Sequence, residues 1–181
     1  MRPPKDDPYW DFFINRPPAD PNNVIPHAFR GLPQGDANPV RTAVHSPNVM
    51  SDQIKELGRF YGADLVGIVE LASEPGFAIV SVLKADYDTR MAHGPGGQTP
   101  VLKGLFATFT LAAFIRELGY SAATRVSGDD NRGERLAAAA GLGILDGDGR
   151  LVIRRHGRGA YVAEVIFTDL PLQPDGQETR V

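Results

Sequence analysis

Ten of the fifteen prolines fall in the first 50 residues: Pro3, Pro4, Pro8, Pro17, Pro18, Pro21, Pro26, Pro33, Pro39 and Pro47. Proline fixes φ and has no N–H to give to a ladder, so regular helix or sheet is not expected there. The same stretch holds Tyr9, Trp10, Phe12, Phe13 and Phe29, more aromatics than a purely disordered tail usually carries. It reads as an extended arm, residues 1–50, whose aromatics dock on the body or on a second subunit, which would make a homodimer. The body then runs over residues 51–175, with a short tail at 176–181.

The chain has 181 residues and is 42% hydrophobic, enough for one domain with a core of its own. A net charge of −3 gives no reason to expect nucleic acid or an anionic membrane as partner. There is no cysteine. That removes disulfides, thiolate catalysis, zinc–thiolate sites and cysteine-ligated iron–sulfur clusters from what this sequence can build. Met1 to Trp10 is polar and shows no apolar signal core. The most apolar run, Leu105 to Ile115, has 11 residues, too few to span a bilayer. A cytoplasmic protein is the expectation.

Along the body, Ser51 is placed to cap a helix with Ile54, Leu57 and Phe60/Tyr61 on one face, ended by Gly62. Two apolar runs, Leu65 to Val69 and Phe77 to Leu83, flank Glu74-Pro75-Gly76 and read as an antiparallel pair. Asp86 to Pro100 reads as a loop. Val101 to Leu118 is the longest helix, with a stripe of Leu102, Leu105, Phe106, Phe109 and Ala113 widened by Phe114 and Ile115, and Gly119 as its C′ residue. A short strand over Ser121 to Val126, a polar loop and a short alanine-ended helix follow. Asp146-Gly147-Asp148-Gly149 is a double turn signal. Leu151 to Arg155 and Tyr161 to Phe167 read as a second hairpin around Gly157 and Gly159. The class this predicts is α+β, a mainly antiparallel sheet flanked by helices.

Four segments, in order, resemble one family. Ile54 to Ile68 resembles the "IK…A..fGADLVGI" opening of reductive dehalogenases. Leu111 to Tyr120 resembles their "LA.FIR.LGY" helix, Ala140-Gly141-Leu142-Gly143 their "AGLG" turn, and Thr168 to Leu172 their "TDLPL" segment. Epoxyqueuosine reductases are similar over the last two. The resemblance covers Ser51 to Asp175 and implies a nitroreductase-like fold that binds cobalamin. It carries over Ala140, Gly141, Leu142, Gly143, Thr168 and Asp169 as cofactor-binding residues. In the family, electrons arrive through two iron–sulfur clusters on cysteines beyond the "TDLPL" segment; here the chain ends nine residues after Leu172, and no cluster is expected.

The sequence departs from the family elsewhere. No tyrosine lies between Tyr87 and Tyr120, where the family's proton donor is expected. Ser127 stands where epoxyqueuosine reductases place an aspartate, with Asp129 and Asp130 two and three residues on. Asp146, Gly147 and Asp148 replace the glycine, basic residue and asparagine that follow "AGLG". No catalytic residue is therefore assigned.

Each candidate has a plain structural alternative. Ala137 to Gly143 could admit a flat macrocycle or could be a tight helix-to-sheet corner. Gly141-x-Gly143 follows a helix, not a strand, and its third glycine position is Asp146, so it is no dinucleotide fingerprint. None of His27, His45, His93 and His156 sits in the Asp-x-His-x-x-Gly pattern of methyl-corrinoid carriers. Arg150, Arg154, Arg155 and Arg158 with His156 form a basic hairpin that contacts an anion or is a solvated face. Asp129 and Asp130 are proton donors or a loop and helix-cap pair, and Glu134 fits a first-turn helix position. Three functions stay open: a corrinoid reductase domain using an external electron donor, a non-catalytic corrinoid-binding, carrier or partner protein, and a protein that binds FMN or no cofactor and keeps only the fold.

Overall fold

A computed structural model describes residues 24–72, 76–85, 95–125, 131–154 and 157–176. In chain order the elements are α1 (Val24–Arg30), α2 (Pro47–Phe60), β1 (Leu65–Glu70), β2 (Phe77–Lys84), α3 (Pro95–Glu117), β3 (Ala122–Arg125), α4 (Arg132–Ala139), β4 (Ile144–Leu145), β5 (Leu151–Val152), β6 (Ala160–Val162) and β7 (Val165–Thr168). The main sheet runs β1-β2-β7-β3, with β6 also on β2, and every pairing is antiparallel. The expected α+β class is the observed one.

Three layers result. Ile54 of α2 and Leu111, Ala112 and Ile115 of α3 cover Val66, Ile68, Ile79 and Ile166 on one face of the sheet. Ala137 of α4 and Leu151 of β5 cover Ala78, Val80, Val82, Val162 and Val165 on the other. Strand β2 is thus buried on both sides from Ala78 to Leu83, which is why it reads as an unbroken apolar run rather than an alternation.

Several boundaries differ from expectation. Residues 24–30 are helical although Pro26 lies among them, because an N-terminal turn has no use for that N–H. Helix α2 starts at Pro47, with Ser46 rather than Ser51 as its cap; the Val49 N–H donates to Ser46 Oγ at 3.4 Å. Ser51 is buried inside the helix, and Phe60 is 82% exposed. Helix α3 begins at Pro95 and runs through Pro100. Its buried side is Leu105, Thr108, Leu111, Ala112 and Ile115, and Phe106 points outward. Gly119 takes φ 87° as the helix end requires.

The second hairpin is not the expected one. Strand β4 pairs β5 across the Asp146 to Gly149 turn, while Tyr161 to Phe167 joins the main sheet. That segment is broken by a bulge: β2 pairs Val82 with Val162 and Ile79 with Ile166. Val80 and Ser81 therefore face three residues, Ala163, Glu164 and Val165. The extra residue turns the chain locally and re-aims one side chain.

Candidate functional site

The Ala140–Gly143 turn closes α4 and leads into β4. The Ala140 N–H donates to Leu136 O at 2.9 Å, the Gly141 N–H to Ala138 O at 3.0 Å and the Leu142 N–H to Ala137 O at 3.0 Å. Gly141 takes φ 73°, which favours glycine. The small residues around it are used for close packing. A Cβ on Gly67 in β1 would stand 2.6 Å from the Ala140 methyl, and one on Gly143 would stand 2.7 Å from Val152 O. Leu142 joins the apolar layer under α4. Gly141 alone is open, with nothing within 4 Å of where its Cβ would be. A flat ring could meet the backbone there, but Ala140, Leu142 and Gly143 already have protein neighbours and do not form a cradle.

Thr168 and Asp169 lie apart from that turn, at the end of β7. Thr168 is buried, and its Oγ1 accepts from the Leu170 N–H at 3.0 Å. Asp169 accepts from the Ser121 N–H at 2.7 Å and the Ser121 hydroxyl at 2.8 Å, and from Arg41 at 2.7 Å. Partial burial pushes the Asp169 pKa up, but the Ser121 hydrogen bonds and the Arg41 charge together outweigh it and hold the carboxyl below the usual aspartate range. Arg41 also donates to Gly119 O at 3.2 Å and lies 4.6 Å over the Tyr120 ring. The Tyr120 hydroxyl donates to Thr42 O at 2.7 Å. Tyr120 is thus spent on a clasp that ties residues 38–42 to the end of α3.

From Leu170 the chain runs back along α2 and β1. Ser51 Oγ accepts from the Gln173 N–H at 2.7 Å and donates to Pro47 O at 2.8 Å. Asp175 donates its N–H to Ile68 O at 2.8 Å, and its carboxylate accepts from the Ile68 N–H at 2.9 Å and pairs with Lys55. The chain beyond the "TDLPL" segment thus returns to the end of α4 at Gly176, which fits against Ala139 O.

The acids after the turn are answered within the same hairpin. Arg158 meets Asp146 at 2.8 Å and Asp148 at 3.5 Å. The basic hairpin is thus partly neutralised by its own loop. Arg155, His156, Tyr87, Ser127, Asp129, Asp130, His93 and the aromatics Tyr9 to Phe13 lie outside the described residues. Asn131, rather than Asp130, holds the N-cap position of α4. Phe29 docks on the body as expected, edge-on to Phe109 at 6.1 Å.

Sequence reasoning missed Glu164 and Arg30. Glu164 sits on the bulge, is 4% exposed, and accepts from Arg30 Nε at 3.0 Å and Nη2 at 2.8 Å through one oxygen. Its other oxygen, Oε2, has no hydrogen-bond partner among the described residues. The signal was present: a lone acid inside the apolar run from Tyr161 to Phe167.

No family model and no curated protein matches the chain. Solved structures do. The catabolic reductive dehalogenase NpRdhA, N-terminally tagged and in complex with 3-bromo-4-hydroxybenzoic acid, superposes with a TM-score of 0.67 at 21% identity, over 85% of this chain and 26% of its own. A second, described as a reductive dehalogenase structure that suggests a mechanism for B12-dependent dehalogenation, gives 0.61 at 22% identity over 84% of this chain and 26% of its own. The likeness is one of fold. This chain spans about a quarter of the length of the reductive dehalogenases it matches, and their fold extends over most of it.

Proposed function

We propose that this chain is a corrinoid-binding domain of the reductive dehalogenase type that works as a carrier or partner subunit. Any reductive chemistry would depend on an electron donor outside the chain. The observation that supports this is the three-layer fold, shared over 84–85% of the chain with B12-dependent and catabolic reductive dehalogenases. A bound corrinoid would supply redox-active cobalt. This chain's residues would supply an approach to the open backbone of Gly141, and no proton donor is assigned among them.

A second reading, a protein that keeps the fold without the cofactor, is favoured by the use of Ala140, Gly143 and Asp169 for internal contacts. A titration with cob(II)alamin, followed by its visible spectrum, separates the two, with FMN in parallel. Saturable binding with a base-off spectrum supports the first. Binding of neither cofactor overturns it in favour of the second, and FMN binding alone moves the chain to a flavin role.

A further inference from the structure

We propose that the bulge at Ala163 to Val165 builds a binding site for a small alkylammonium ion, with Glu164 as its acceptor. The site lies on the α3 face of the sheet. The Ala140–Gly143 turn lies on the α4 face, so the inference does not rest on corrinoid binding.

The bulge leaves polar atoms without partners. Glu164 Oε2 is buried and accepts from no group among the described residues. Across the bulge, the Ala163 N–H donates to Ser81 O at 2.9 Å, and the hydroxyl of Ser81, a residue 1% exposed, is also without a partner among the described residues. Buried polar atoms are nearly always satisfied by protein, water or ligand, so the Glu164 oxygen, whose residue lines a cavity, calls for a donor. Bulges also recur beside functional sites because they re-aim a side chain.

A cavity of about 60 Å³ adjoins Glu164, with Phe29, Leu32, Leu105 and Phe109 on its apolar side and Arg30, Gln34, Thr108 and Thr124 on its polar side. That is room for roughly five water-sized positions, or an ammonium on two or three carbons. The apolar wall suits the carbons. The ammonium brings three donors to a carboxylate that has a free oxygen, and nearby aromatic rings favour a cation over an anion. Arg30 already shows what the site accepts: a nitrogen cation. Its side chain is 33% exposed and hangs from a seven-residue helix, whereas Glu164 sits on the bulge between two strands and is 4% exposed.

The test is a ¹H–¹⁵N NMR titration of the full chain with ethylammonium chloride, against sodium chloride at equal ionic strength and against ethanol as the neutral analogue. The expected result is saturable shifts of the Thr108, Phe109, Thr124 and Glu164 amides, with contacts between the ethyl protons and the Phe109 ring. Ethanol should bind at least tenfold more weakly, and Glu164→Gln should raise the Kd for ethylammonium at least tenfold. Shifts that grow linearly, that sodium chloride reproduces, or that ethanol matches would overturn the proposal and leave water as the cavity's occupant. If Glu164→Gln does not fold, the ethyl-to-Phe109 contacts and the ethanol comparison, both on the unaltered chain, decide the matter.

Discussion

Gly67 and Ala140 are complementary: the strand comes so close to the end of α4 that a single added carbon at residue 67 would stand 2.6 Å from the Ala140 methyl. Gly67→Ala should therefore destabilise the fold by about 1–3 kcal/mol through overpacking. The double variant Gly67→Ala with Ala140→Gly should recover much of that loss, because it moves the methyl across the contact. Urea unfolding of the four members of the cycle measures the coupling. Additive losses would show that the two residues do not compete for one space.

Asp169 should make stability depend on acid. Its folded pKa lies below the ordinary aspartate value, so the clasp with Ser121 and Arg41 stabilises the fold above the unfolded pKa of about 3.9. That contribution is lost as pH falls through the lower folded value. Asp169→Asn should lower the urea midpoint near neutral pH and flatten its decline below about pH 4. A variant whose decline runs parallel to the parent's would place the acid sensitivity elsewhere.

Removing Arg30 leaves Glu164 buried with no cation. Arg30→Ala is expected to cost on the order of 2 kcal/mol, tempered by the partial exposure of the arginine. Replacing the pair together, Arg30→Met with Glu164→Leu, should cost less than Arg30→Ala alone. Denaturant midpoints of the three proteins check the order.

Ser51→Ala removes the hydroxyl that receives the Gln173 N–H. The global loss should be about 1 kcal/mol. The more specific result is faster hydrogen exchange at the Gln173 amide while Ile68 and Ile79 in the sheet keep their protection.

The sequence made the central elements legible where the pattern was periodic or terminated by glycine. β1 and β2 paired as their apolar runs and the turn between them suggested, and Gly119 ended α3. Proline misled in both directions. Pro26, Pro47 and Pro95 lie in first turns, where a missing N–H costs nothing, so α1, α2 and α3 begin at or near residues that looked like breakers. The bulge could not be read at all, because it follows from the register of Tyr161 to Phe167 against a distant strand. The site residues were named from resemblance, and resemblance carries no information on who their neighbours are. The structure gives Thr168, Asp169, Ala140 and Gly143 partners within the protein, and it draws attention to Glu164 through burial, a property one sequence does not print.

Both ends of the main sheet are occupied by something other than a strand. On β3, the Gln34 side-chain amide donates to Thr124 O at 3.1 Å and accepts from the Thr124 N–H at 2.8 Å; on β1, Asp175 holds both backbone groups of Ile68. An unpaired edge is a template for another chain, and here the groups that would recruit one are engaged at the middle of each border. Aggregation by sheet growth is hindered at these places.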